Sequence, residues 1–443
     1  GTSQIDMIII TFLMICLKCK LIIGSKKTII RCEVNNMYDV IIIGGGASGL
    51  YCAAHIKNKK VLVIEKNKRL GMKVLASGSG QCNFTHGGYI RAFRDKYGDK
   101  KAFVKAALTA HDNKSVMRFF DDFGVPSIER ADGKVFPSSL KASDVVDALI
   151  KACKGVSFRL EEAALQLDKE GAGYRVVTDR GSYYSEHLVI ATGGKSYRTL
   201  GTTGDGYVFA SHLGERVTDI RPGLTGVVLR TKNFVSIQGV SLENVKLALK
   251  RNHTSQSYCG SLLFTHFGLS GPVVINNSRF FESGDFLSLN FVDTDPIVLE
   301  KDLIDLINQH GDKPVSFFIN KVTLPEKLKD VLFEEKELDR TLKLAELTKL
   351  KRKWIVDRLT NYTVEIDQLI GFNQAMVTVG GVNTNGINKK TMESLSNKGL
   401  YFIGEVMDVD GDTGGYNLQW AFSSGFAAAQ NISCVGGRNE QQN

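Results

Sequence analysis

At 443 residues, 43% hydrophobic and 23% charged, the chain is too long for one hydrophobic core and too ordinary in composition for a disordered, fibrous or membrane-embedded protein. Its net charge of +9 is spread out: residues 1–36 hold Lys18, Lys20, Lys26, Lys27 and Arg31 against Asp6 and Glu33, and the mildly basic remainder does not call for a nucleic-acid partner. Eight cysteines without disulfide or zinc spacing, apart from Cys16 and Cys19, exclude a disulfide scaffold and fit reduced thiols in a cytoplasmic protein with no metal site.

Residues 7–23 contain an apolar stretch of 11 residues ending at Leu17. It is short for a bilayer span, and positive charge follows it where a signal peptide would have it in front. Residues 1–36 therefore read as an extension outside the fold, without stable membrane association, and Met37 as the functional start. From there, residues 39–43 are predicted as a fully apolar strand, 44–49 as a turn, 50–56 as a helix and 61–64 as a second strand. Apolar strands flanking a helix at such short spacing imply a parallel sheet covered on both faces, an α/β fold.

Residues 71–86 read as a glycine- and serine-rich loop, and 101–123 and 142–152 as helices, the second capped by Ser143 with Asp144 in its first turn. Residues 157–167, 174–178 and 182–186 form a predicted β-meander that feeds the apolar strand at 187–194. Short strand-like runs at 221–291 then give way to charged helical patterns at 298–359, including the basic run Lys349, Lys351, Arg352 and Lys353, which reads as a solvated helix face. Residues 372–381, 399–404 and 416–429 return to the first style. The predicted organisation is a discontinuous nucleotide-binding domain at 37–200 and 372–443, an inserted β-rich substrate domain at 201–297 and a small helical domain at 298–371.

The turn is Gly44-x-Gly46-x-x-Gly49. Its glycines serve a tight turn, close approach to a pyrophosphate and close helix–strand packing, while Ala47 and Ser48 open a helix whose free N–H groups face the phosphates. Glu65, at the end of the next strand and followed by Lys66, stands where a carboxylate accepts the two hydroxyls of an adenosine ribose and repels a 2′-phosphate. Farther on, Ser77, Gly78 and Gly80 let backbone N–H groups face a phosphate or ribityl chain, with Lys73 and Asn83 beside them. Cys82 reads as a packed or polar contact, since no second cysteine is near it in sequence.

The strand end Ala191-Thr192-Gly193-Gly194 resembles that of glutathione-reductase-like FAD enzymes, and residues 399–405 resemble their returning C-terminal strand, with Glu405 at the usual aspartate. Taken with 77–85, 135–137, 141–144, 191–197, 204–206, 263–272, 377–381 and 404–425, the chain is similar to the bacterial aminoacetone-oxidase-like, NAD(P)/FAD-dependent oxidoreductase flavoproteins. That resemblance implies a Rossmann-like FAD domain, an inserted β domain and a helical domain. It further implies that Gly404, one or more of Glu405, Asp408 and Asp410, and the segment Gly415, Tyr416 and Asn417 meet the flavin. Tyr416 is then a candidate at the ring, against a plain packing role. His266, in a motif-like loop before Ser270 and Pro272, is a candidate acid or base, against a structural histidine.

No second glycine fingerprint follows an apolar strand, so NAD(P)H would dock only transiently. Two directions stay open for a small-molecule substrate: oxidation of an amine such as aminoacetone with oxygen, or NAD(P)H-driven reduction of a conjugated carbonyl. The alternative from another class is an FAD-containing nucleic-acid-binding or RNA-modification accessory protein, gripping nucleic acid through the basic run at 349–353.

Overall fold

A strand without a polar face has to lie inside a sheet, and Met37–Ile43 does. It pairs in parallel with Val61–Glu65 on one side and with Ser182–Ile190 on the other. Ser157–Leu160 extends the sheet beyond Val61–Glu65, and Leu400–Phe402 adds in parallel to Ser182–Ile190. Val40, Ile41, Ile42, Leu62 and Val63 are fully buried between the helices on the two faces. The carboxyl ends of these strands, where ligands bind in open α/β sheets, share one edge.

The computed structural model describes residues 20–24, 27–31, 36–251, 254–334 and 337–434. The apolar stretch ending at Leu17 lies outside the described residues; of the extension, a hairpin of Lys20–Gly24 with Lys27–Arg31 is described. Among the described residues no helix is long and apolar enough to cross a membrane.

The meander forms as an antiparallel run of Ala164–Glu170, Gly173–Thr178 and Ser182–Ile190. Its predicted first strand is two strands, because Glu161, at φ 52°, kinks the chain between Ser157–Leu160 and Ala164–Glu170. The single helix predicted over 101–123 is likewise two, Lys101–Ala110 and Asn113–Asp122. Asp112 breaks it: its backbone is extended and its carboxylate accepts from Ser115 N at 2.8 Å, an N-cap. Helix Ala142–Ala152 has Lys141 at the cap position, so Ser143 lies inside the first turn and its hydroxyl donates to Asp144.

A second core belongs to a closed barrel of Val227–Leu229, Gly268–Ser270, Thr254–Phe264, Ser241–Arg251, Phe286–Asn290 and Tyr362–Leu369. The last strand falls inside the predicted helical domain, 298–371, just past its helical patterns: Tyr362, Val364 and Ile366 alternate inward and close the barrel. Helices Pro296–His310, Val315–Lys321, Glu326–Leu332 and Lys349–Thr360 are therefore inserted between two neighbouring barrel strands, and Leu303, Phe318, Leu332 and Ile355 share the barrel's core. Helix Asp205–His212, predicted with the inserted part, instead packs Tyr207, Phe209 and Ala210 into the first core. Lys349, Lys351 and Lys353 are exposed on a helix that buries Ile355, Val356 and Leu359.

Candidate functional site

At the carboxyl edge of the parallel sheet the chain encloses a cavity of about 710 Å³, within the range of small-molecule and cofactor sites. It is lined from separated stretches of sequence: the glycine turn, Glu65 to Ser79, the strand end at Ala191, the connection through Asp205, and residues 405–421.

The three glycines of the turn are constrained differently. Gly44 has φ +107°, and a Cβ there would lie 2.5 Å from the Ala191 carbonyl oxygen. A Cβ on Gly49 would overlap the carbonyl oxygen of Gly44, so Gly49 serves packing and does not line the cavity. A Cβ on Gly46 would meet nothing within 4 Å. Gly46 also caps helix Ala47–His55 with no side-chain hydrogen bond, leaving the first-turn N–H groups to a phosphate beside Ala47 and Ser48. Glu65 is buried, its Oε2 accepting from Gly45 N and its Oε1 from Asn67 N, each at 2.8 Å. Each carboxylate oxygen keeps a lone pair for a ribose hydroxyl.

Two ion pairs fasten the walls. Lys66 Nζ meets Asp205 at 2.6 Å and the Thr203 hydroxyl at 2.5 Å. Lys73 Nζ meets Glu405 at 2.7 Å and the Ser196 hydroxyl at 2.9 Å, and Glu405 also accepts from Thr378 N at 3.0 Å. Of the three acids the sequence left open, Glu405 lines the cavity. Asp408 pairs with Lys100 at 2.9 Å, and Asp410 lies buried 3.2 Å from Arg279, off the cavity wall. The placement of Asp410 on the cofactor is thereby corrected: Arg279, from the barrel part of the chain, claims it.

In the loop after Lys73, Gly78 and Ser79 both adopt left-handed φ (55° and 56°), and Gly80 follows at 85°. Ser77, Gly78 and Asn83 line the cavity, whereas Gly80 serves the turn. Burial pushes the Cys82 thiol up to about 12, so it stays protonated as a packing group. Asn83 Oδ1 is buried with no hydrogen-bond partner in the protein. A buried amide oxygen on a cavity wall needs a donor, and a cofactor N–H or ribityl hydroxyl supplies one.

At the far end, Gly415 has φ +95°, and any Cβ would run into the backbone of Thr85. Helix Tyr416–Cys434 starts here, and Asn417 braces the preceding loop by accepting from Gly411 N and donating to Gly411 O, both at 2.8 Å. Tyr416 itself turns away from the cavity. Its ring stacks on His86 at 5.0 Å and meets Phe93 edge-on at 5.1 Å; burial pushes its phenol up to about 12. The packing role is the one observed. His266 is exposed in the turn between barrel strands, edge-on to Phe267 at 4.9 Å, and does not line the cavity. Ser270 ends a strand rather than capping a helix: Gly271, at φ +89°, caps the single turn Pro272–Ile275. Gly404, at φ +71°, shapes a turn close to Ser48.

Sequence reasoning missed Arg130, Lys134, Phe136, Leu224, Val377, Asp412 and Thr413, all on the wall. Arg130, Lys134 and Leu224 sit in no motif that singles them out, whereas Phe136, Val377, Asp412 and Thr413 lie in segments that carry the resemblance without being marked there as wall residues. The open face of Gly46, the held carboxylate of Glu65 and the unpartnered Asn83 Oδ1 fit a long dinucleotide, with pyrophosphate at Gly46 and the ring toward residues 412–417.

Residues 38–431 match the model of the HI0933-like protein Rossmann domain. The chain belongs to that family. It is 34% identical over 408 residues to the ribosomal RNA dihydrouridine synthase of Escherichia coli (strain K12), covering 89% of this chain and 98% of that one. The Haemophilus influenzae protein of the same name is 33% identical over 404 residues, with 89% and 98% covered. The 3-dehydro-bile acid delta(4,6)-reductase of Clostridium scindens is 28% identical over 407 residues, with 88% and 97% covered. This HI0933-like protein has a Rossmann-like FAD-binding fold and is an FAD-dependent oxidoreductase.

Proposed function

We propose that the protein reduces the ring double bond of uridine in ribosomal RNA. The observation that carries this reading is similarity, over nearly the whole length of both chains, to two ribosomal RNA dihydrouridine synthases. The chemistry of the third relative's name points the same way. A uracil ring and a 3-oxo-Δ4,6 steroid both present a carbon–carbon double bond conjugated to a carbonyl, the group that accepts hydride at carbon. None of these three relatives is named as an amine oxidase, so of the two directions open from sequence, reduction is favoured.

Bound FAD would supply the hydride, with NAD(P)H as its transient electron source. The chain's own residues hold and shield. Gly46 and the helix behind it take the phosphates, Glu65 takes the ribose, and Phe136, Leu224 and Val377 give the ring end apolar walls that exclude water. Arg130 lies 3.9 Å over the Phe136 ring and donates to Gln81 at 2.7 Å, a cation fixed on the wall. This reading assigns the chain an RNA partner that its overall charge alone did not require.

The test is direct. The FAD-loaded protein is incubated with NADH or NADPH and an unmodified ribosomal RNA transcript, and the digested RNA is weighed by mass spectrometry. The reading predicts a uridine heavier by two hydrogens. Unchanged RNA, alongside turnover of a small conjugated ketone or of aminoacetone, would replace it.

A further inference from the structure

We propose that the segment 87–105 is the surface on which the RNA phosphates dock, an inference that rests on the proposed reduction of ribosomal RNA. The segment holds Arg91, Arg94, Lys96, Lys100, Lys101 and Lys105 against Asp95 and Asp99, a net of four positive charges out of +9 for the whole chain. Five of the six cations are exposed; Lys100 is half-buried and paired with Asp408 at 2.9 Å. Among the described residues, Arg91, Lys101 and Lys105 form no ion pair. Lys101 and Lys105 stand one turn apart on helix Lys101–Ala110, which buries Val104, Ala107 and Leu108.

Charge alone would make this an ordinary solvated surface. Two further observations tie it to the substrate. First, the segment is built onto the ring end of the flavin cavity. Phe93 packs edge-on to Tyr416, the Tyr97 hydroxyl donates to Tyr416 O at 2.7 Å, and Asp412 N donates to Lys96 O at 3.0 Å. Lys96 Nζ lies 3.8 Å from the carboxylate of Asp412, which lines the cavity. Gly87 N donates to Gly133 O at 2.7 Å, next to the cavity residue Lys134. Second, Tyr89 is 85% exposed, the most exposed large hydrophobic among the described residues. A tyrosine held out in water beside arginines is a stacking platform for an unpaired base. Phosphates on the cationic segment and a base on Tyr89 would hold the strand while the target uridine leaves its stack and enters the cavity.

The other basic candidate, the helix carrying Lys349, Lys351 and Lys353, contributes nothing to the cavity; no residue between 225 and 375 lines it. It is the control.

The FAD-loaded full chain is titrated with an unmodified ribosomal RNA fragment across a salt series, using wild type, Arg91→Glu/Arg94→Glu/Lys101→Glu, Tyr89→Ala and the control Lys349→Glu/Lys351→Glu/Lys353→Glu. The rim triple variant should lose roughly tenfold or more in affinity, and its log–log salt slope should fall by about three, while the control stays within about twofold of wild type. Tyr89→Ala should keep the slope and lose dihydrouridine formation. NAD(P)H bleaching of the flavin should persist in every variant, which reports a folded site. If wild type reduces the RNA and the rim variants bind and reduce it equally, or the control loses binding instead, the docking surface is wrong and the RNA reading survives. If wild type neither binds nor reduces the RNA, both fall.

Discussion

Gly46 and Gly49 sit on one turn and are glycine for different reasons. A Cβ on Gly49 overlaps the Gly44 carbonyl in the protein itself, whereas a Cβ on Gly46 meets nothing within 4 Å and points into space that a pyrophosphate would fill. Gly49→Ala should therefore destabilise the apoprotein by ~2 kcal/mol through overpacking, whereas Gly46→Ala should leave its unfolding midpoint nearly unchanged. In an FAD fluorescence titration Gly46→Ala should instead bind about tenfold or more weakly; equal affinity would remove the phosphate from this turn. Asp410 offers a second test. Burial holds its carboxyl up at about 6, from an ordinary 3.8, despite Arg279 at 3.2 Å. A folded pKa above the unfolded one means that the stability from this group is complete below about pH 4 and lost as pH rises to about 6. Urea unfolding should show Asp410→Asn gaining up to ~3 kcal/mol on wild type across that interval; parallel pH profiles would refute the assignment. Glu65 was legible in the sequence because its strand and turn lie within a few residues of each other. Asp410 was not: the arginine that takes it is 131 residues away. The sequence left Tyr416 open between the ring and plain packing for a similar reason, since nothing local announces the stack on His86.

Among the elements, the loop that closes the ring end of the cavity is held from outside its own domain. Arg279 donates to Asp410 O at 3.1 Å and pairs with Asp412 at 2.7 Å, while Asn276 Oδ1 accepts from Thr413 N at 3.0 Å and from its hydroxyl at 2.8 Å. Removing the guanidinium leaves the buried carboxylate of Asp410 unpaired and takes from Asp412 one of its two cations, a cost of ~3–5 kcal/mol. Arg279→Met should lower the melting temperature and loosen FAD; a variant with wild-type melting and affinity would show that the loop holds itself. Elements with a strong local period were readable: the apolar strands, the meander, and helix Ala142–Ala152 to its residue bounds. Breaks were not. The split at Asp112 depends on one capping carboxylate inside a helical pattern, and the last barrel strand, Tyr362–Leu369, follows directly on a charged helix whose style conceals it.

Across the whole molecule, two cores divide the work. The sheet core around Met37–Ile43 supplies almost all of the cavity, and the barrel, with helices sharing its core, reaches it through Arg279 and Asn276 clasping the loop 410–413. The dinucleotide fold was visible from a few glycines and an acid because its phosphate site is local in sequence. The ring end was not, because Arg130, Leu224, Val377 and Asp412 meet there only through tertiary packing. What the flavin acts on is decided at that end, and one measurement addresses the proposed reduction most directly. The FAD-loaded protein is reduced anaerobically with NAD(P)H, the excess donor is removed, and unmodified ribosomal RNA is added while flavin absorbance is followed. The yellow absorbance should return with dihydrouridine appearing in step. A reduced flavin that stays bleached with the RNA, and recovers only with another acceptor, would contradict it.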